Sequence, residues 1–139
     1  MPEADIVARY CARLSKTMPA WKIECREITH HEGKLASEKE AEQLLQLIPA
    51  GFVTIALDGA GKTFNSGEFA QLLQRFQDEA TGLCFLIGGS DGHGRKLIAS
   101  VQHLLSLGAM TWPHLLARAM LLEQIYRSKM ILQGHPYHK

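Results

Sequence analysis

The sequence predicts a single α/β domain over residues 1–139, a mainly parallel sheet with helices on both faces. Three observations predict it. Two short, almost continuously apolar runs, 52–57 (FVTIAL) and 83–87 (LCFLI), have the pattern of strands covered on both faces. Segments with apolar residues at helical spacing alternate with them. Glycine-rich turns, 58–62 and 88–94, follow the two runs directly, where a parallel sheet places its ligand sites.

Taken in order, residues 4–15 read as a helix, since Ile6, Val7, Tyr10 and Leu14 share one stripe. Met18-Pro19 breaks it. Trp21, Ile23 and Cys25 alternate with Lys22, Glu24 and Arg26, the pattern of a half-buried strand. A polar loop with His30-His31 and Gly33 follows. Ser37 and Glu40 have the spacing of a capping box ahead of Leu44, Leu45, Leu47 and Ile48, and Pro49 stops that helix. After the strand at 52–57 and the turn Asp58–Lys62, Ser66 opens a helix whose stripe is Phe69, Leu72, Leu73 and Phe76. The strand Leu83–Ile87 leads into the glycine loop. Residues 95–105 read as a helix, 107–112 as a short strand-like segment, and 113–130 as the longest helix, opened by Pro113. The tail ILQGHPYHK is punctuated by glycine and proline.

The bulk composition excludes several classes. No apolar run approaches the roughly 20 residues of a membrane helix. The N-terminal stretch has acids ahead of its basic residues and no apolar segment of the secretory kind, so a cytoplasmic location is expected. Cys11, Cys25 and Cys84 are odd in number and never in a CxxC pair, which suits reduced thiols. The net charge of +1 says little, but its distribution is informative. Residues 93–139 hold six Lys/Arg against one acid, whereas 1–92 hold nine against thirteen. Five of the seven histidines also lie after residue 92. A basic end on an acidic body suits an anion such as RNA phosphate.

The motifs narrow the cofactor. Gly92-His93-Gly94 has no glycine three residues on, so it is not a dinucleotide fingerprint. Gly61-Lys62-Thr63 lacks the first glycine of a phosphate-binding loop, so NAD and ATP sites are disfavoured. His135 and His138 are spaced HxxH with no cysteine or carboxylate nearby, and no metal site is expected. Tyr137, flanked by His135, His138 and Lys139, is an aromatic that can stack on a base beside hydrogen-bonding and cationic groups.

Taken together, LIGGSDG (86–92), the run LSLGAMTWPHLLARAMLLEQIYRSKMI (105–131), the terminal HPYHK (135–139) and the earlier TIALDGAGK (54–62) resemble the large-subunit (23S) rRNA pseudouridine N3-methyltransferases, family H, of the SPOUT superfamily. The resemblance runs along the whole chain and is most specific over 83–139. It implies S-adenosylmethionine as methyl donor and a C-terminal trefoil knot, formed after Leu83, that builds the cofactor site. It implies a homodimer acting on large-subunit rRNA in the assembled ribosome. Family members also begin with an extra apolar strand and turn, which the sequence from Met1-Pro2 onward does not show.

Matched position by position, the family's cofactor contacts fall on Leu57, on Gly88 and on the run Leu107, Gly108, Ala109, Met110, Thr111 and Trp112. Arg118 matches the arginine of the PHxxxR segment, and Tyr137 and His138 match the tail. The resemblance therefore makes Arg118, Tyr137 and His138 the catalytic candidates, with Arg118 on phosphate or the developing anion and His138 as general base. Two alternatives remain open at this level: an inactive rRNA- or ribosome-binding module, and a related knotted enzyme acting on tRNA.

Overall fold

A computed structural model of the chain describes residues 1–17, 21, 23–28, 35–88 and 93–138. The elements are α1 (Pro2–Ser15), α2 (Ala36–Leu47), β1 (Val53–Lys62), α3 (Ser66–Asp78), β2 (Leu83–Ile87), α4 (Gly94–Ser100), β3 (His103–Leu105) and α5 (His114–Leu132). They divide into two compact units. One comprises Met1–Arg26, Phe64–Arg75 and Leu115–Lys139; the other comprises Glu27–Thr63 and Phe76–His114.

The second unit holds the sheet. Its three strands are all parallel, in the order β2-β1-β3. Ala56 of β1 and Leu86 of β2 are register partners and so point to the same face. There they form a core with Ala41 of α2 and Leu97 of α4, edged by Leu44, Leu45, Ile48, Cys84, Val101 and Leu104. Helices α2 and α4 therefore cover this face. Ile55, one residue out of phase, is also buried, at 2% exposure, so both faces of β1 are covered as its apolar run requires. Removing a fully buried leucine such as Leu97 from this core costs about 2–5 kcal/mol.

The first unit is helical. Pro2 occupies the first turn of α1, where its missing N–H costs nothing, and Glu3 and Asp5 sit at the positive end of the helix dipole. The Tyr10 ring meets Tyr126 of α5 at 5.5 Å, and the Arg13 guanidinium lies over both rings. Ser66, at the start of α3, donates to Gln124 of α5 at 2.8 Å. Helix α5 is buried around much of its circumference, with Ala117, Leu121, Leu122, Ile125 and Ser128 all inside.

Several sequence expectations need correction. The strand expected at Trp21–Cys25 is not formed: residues 21 and 23–28 are irregular. The described strands pair only with one another, and alternation without a neighbouring strand does not make one. Trp21 instead lies under the ammonium of Lys129, at 4.5 Å. Ser37 is not the N-cap of α2, the position that the expected capping box requires. Helix α2 begins at Ala36 with Leu35 as its N-cap, which places Ser37 inside the first turn. A capping box does exist at α3, one residue ahead of Ser66. Asn65 Oδ1 accepts the Glu68 N–H at 2.8 Å, and Glu68 Oε1 accepts the Asn65 N–H at 2.9 Å.

The helix expected over 95–105 stops at Ser100. Val101 is extended, and residues 103–105 pair with β1 as a strand. Residues 107–112, expected to be strand-like, are irregular. A short apolar run fits helix and strand alike, and here the ladder with β1 decides. The turn expected at 58–62 survives as a bulge within β1. Leu105 pairs with both Leu57 and Lys62, and Asp58 Oδ2 accepts the Ala60 N–H at 2.9 Å across the intervening residues. The helix break at Met18-Pro19, the His30-His31 loop and residues 89–92 of the glycine loop lie outside the described residues.

Candidate functional site

In the sheet unit, Leu57 pairs with Ile87 on one side and with Leu105 on the other. β2 and β3 therefore end level with Leu57, where β1 enters its bulge and runs on to Lys62. Directly beyond those two ends lie Gly88 after Ile87 and, after Leu105, the segment 106–112. The sequence-selected cofactor residues Leu57, Gly88 and 107–112 thus gather at the C-terminal edge of one sheet, where parallel α/β folds bind ligands.

The 106–112 segment is shaped by its own chain. Gly108 has φ +117°, a conformation that side-chain-bearing residues rarely adopt. The Ser106 hydroxyl accepts the Gly108 N–H and donates to the Gly108 carbonyl, both at 3.1 Å, which fixes the turn. Beyond it, Met110 is 75% exposed and Trp112 is 38% exposed. Two large apolar side chains are thus left at the surface within a few residues of the strand ends.

His93 belongs to the same edge, although no motif in the sequence assigns it a role. It is buried, and its Nε2 lies 3.0 Å from the Leu86 carbonyl. Burial lowers its proton affinity, against smaller opposing effects of the Leu86 carbonyl, Asp58 and the Leu57 carbonyl. A neutral ring donates Nε2–H to Leu86 and so ties the start of α4 to the end of β2. Only the histidine within a glycine-dense loop hinted at this, and that pattern does not separate a buried tether from a solvated side chain.

The catalytic candidates Arg118, Tyr137 and His138 belong to the helical unit. Arg118, on α5, lies near Cys11 of α1, whose thiol is pushed up to about 11 by burial and by Cys25, with Arg118 pulling the other way. Tyr137 and His138 are held by the end of α5. The His135 N–H bonds the Met130 carbonyl at 2.9 Å and the Gly134 N–H bonds the Ile131 carbonyl at 3.0 Å. Gly134 has φ +69°, and the three features together make a Schellman motif. The motif turns the tail back along α5.

There the Tyr137 hydroxyl donates to Glu123 Oε1 at 3.2 Å and meets the Tyr10 hydroxyl at 3.3 Å. Its ring packs edge-on against Tyr126, with centroids 4.9 Å apart. Burial, together with Tyr10 and Glu123, pushes the hydroxyl well above the ordinary tyrosine range, so it remains a donor. Arg127 bridges the cluster. It contacts Glu123 Oε1 at 2.7 Å and 2.8 Å, lies over the Tyr137 ring, and reaches His138 Nδ1 at 3.0 Å. In the sequence, Glu123 and Arg127 stand out only as charged residues of the long helix expected over 113–130. Their i,i+4 spacing, with the acid first, is the signal that marks them as a pair.

A family model described as "Predicted SPOUT methyltransferase" matches residues 1–138. The chain belongs to the SPOUT methyltransferase family. Among curated proteins, the Ribosomal RNA large subunit methyltransferase H of Paramagnetospirillum magneticum is 44% identical over 139 residues, covering 99% of this chain and 90% of the relative. The protein of the same name from Acidiphilium cryptum is 44% identical, covering 99% and 85%. The one from Dinoroseobacter shibae is 41% identical, covering 99% and 90%. A SPOUT methyltransferase needs a methyl donor and an acceptor. Among the described residues, no group of three or more metal-ligating side chains occurs, and no helix is long and apolar enough to cross a membrane.

Proposed function

We propose that this SPOUT methyltransferase transfers the methyl group of S-adenosylmethionine to N3 of a pseudouridine in large-subunit ribosomal RNA, acting on the assembled ribosome. The observation that carries the reading is the identity of 38–44% along 99% of the chain with proteins named for methylating large-subunit rRNA. The basic 93–139 segment supports an RNA partner. The reading includes a homodimer in the cytoplasm. It also includes a single domain over 1–139, with helices on both faces of the sheet and a trefoil knot in its C-terminal half.

The strand-end residues fit the proposed cofactor. Gly108 leaves its backbone open to close approach, and Met110 and Trp112 offer exposed apolar surface to flank an adenine ring. Leu57, Gly88 and 107–112 would hold it. When bound, the cofactor supplies an electrophilic methyl group, so the chemistry needs no metal. The chain's own task is alignment of donor and acceptor. Arg118 supplies fixed positive charge toward phosphate or the developing anion on the base. Tyr137 and His138 supply the polar end of the tail.

The test is methylation of purified ribosomes with radiolabelled S-adenosylmethionine, followed by nucleoside analysis of the large-subunit rRNA. Label on a pseudouridine at N3 is the expected result. Label elsewhere, or on tRNA alone, would overturn the substrate. Absence of calorimetric binding of S-adenosylmethionine would overturn the cofactor.

A further inference from the structure

We infer that Glu123 and Arg127 are positioning residues that fix the His138 tautomer, making its free nitrogen a hydrogen-bond donor to the substrate rather than a general base. The inference rests on the proposed rRNA methylation for its substrate, but its structural part stands apart from it.

A guanidinium has only donors. The 3.0 Å contact between Arg127 Nη1 and His138 Nδ1 is therefore a bond in which Nδ1 accepts. An imidazole with Nδ1 accepting is neutral and carries its proton on Nε2. That nitrogen can donate, and it has no lone pair with which to take a proton. His138 is exposed, so Nε2 can meet a ligand.

The arrangement is held from several sides. Glu123 takes two contacts from Arg127, at Nε and Nη2, and leaves Nη1 for the histidine. Hydrogen bonding to Glu123 raises the proton affinity of Arg127, so it stays a cation. Tyr137 adds its hydroxyl to the same Glu123 oxygen and its ring beneath the guanidinium. Tyr10 of α1 meets that hydroxyl. The neighbouring His135 also accepts at Nδ1, from the Tyr137 N–H at 3.1 Å, which fixes the backbone just before His138. Among the described residues, the charged and titratable groups on this face are Glu123 and Arg127 of α5, Tyr10 and Arg13 of α1, Tyr126, and Tyr137 and His135 of the tail. A pyrimidine-type base offers carbonyl oxygens beside its ring nitrogen. A donor directed at one of them would orient the base and stabilise negative charge as the ring proton leaves to solvent water.

Two measurements test this on the full-length protein. Long-range proton–nitrogen NMR of ¹⁵N-histidine-labelled protein reads the tautomer without any activity. The expected result is His138 in the Nε2–H form in the wild type, and loss of that single form in Arg127→Gln. A wild-type ring protonated on Nδ1 overturns the inference and leaves the proposed function standing. The second measurement is ribosome methylation against pH. His138→Gln, whose amide N–H reaches the place of Nε2–H, is expected to keep kcat within about tenfold, whereas His138→Ala loses about a hundredfold or more. Equal loss in both, or an acidic limb present in wild type and absent in His138→Gln, makes His138 a base and overturns the inference. If no variant methylates ribosomes, wild type included, the proposed function fails and the NMR result still judges the tautomer.

Discussion

Thr54 and Gln102 grip each other across β1 and the start of β3. The Thr54 N–H donates to Gln102 Oε1 at 2.8 Å, and the Gln102 N–H donates to Thr54 Oγ1 at 3.1 Å. The contact lies just where the helix expected from sequence gives way to a strand. It seats residues 103–105 on β1, and the ladder then brings Leu105 opposite Leu57. The place of the 106–112 segment beside Leu57 depends on this junction.

Replacing Gln102 by leucine should therefore lower stability by about 1–3 kcal/mol, because the buried Thr54 loses the acceptor for its N–H. Gln102→Glu keeps an acceptor oxygen and should lose less. Urea unfolding of the three proteins reads this directly. Equal stability of wild type and Gln102→Leu would show that the ladder alone seats β3.

Gly61 marks a second point where β1 and β3 are pressed together. A Cβ there would lie 2.6 Å from the Leu104 carbonyl carbon and 2.7 Å from the Leu105 nitrogen. Those are backbone atoms of a paired strand and cannot turn aside. Gly61→Ala should cost on the order of 1–3 kcal/mol, as overpacking does. Gly59→Ala, in the same bulge with nothing within 4 Å, should stay within about 0.5 kcal/mol. Comparable losses in both would mean that the bulge backbone, rather than the close approach, is the sensitive feature.

The parts that were legible in the sequence are those with strong local signals. The run LCFLI appears as β2 with the expected bounds, and Pro49 ends α2 by forcing Ile48 into an extended conformation. The boundary between α4 and β3 was not legible. Leu97, Val101, Leu104 and Leu105 satisfy helical spacing, and only pairing with β1 turns the last of them into strand. Similarly, Asn65 and Ser66 are both good N-caps. The choice is made by Glu68, three residues after Asn65, and by Gln124, which engages the Ser66 hydroxyl from another helix. Of the site, the strand-end segments followed from topology. The Glu123–Arg127–His138 line did not, because the Schellman turn that folds the tail back onto α5 is a three-dimensional event marked in sequence by Gly134 alone.

His93 makes stability depend on pH in a stated direction. Burial lowers its folded-state proton affinity below the ordinary value of 6.5. The unfolded chain therefore binds a proton that the folded one resists, and stability falls as pH drops below about 6.5. His93→Leu removes this group. Denaturant midpoints at several pH values should show a shallower acid loss for the variant between pH 6.5 and the start of carboxylate titration. Parallel curves for the two proteins would remove His93 from the account.

The exposed pair Met110 and Trp112 separates stability from binding. At 75% and 38% exposure they contribute little to the core, so alanine at either position should change unfolding free energy by no more than about 0.5 kcal/mol. If they flank an adenine ring as proposed, Trp112→Ala should weaken S-adenosylmethionine binding roughly tenfold, which corresponds to about 1.4 kcal/mol. Met110→Ala should weaken it less, since the lost surface is smaller and more flexible. Titration calorimetry beside urea unfolding gives both quantities on the same preparations. Unchanged affinity in the double variant would move the cofactor away from 107–112. A loss of stability equal to the loss of binding would instead assign Trp112 a packing role.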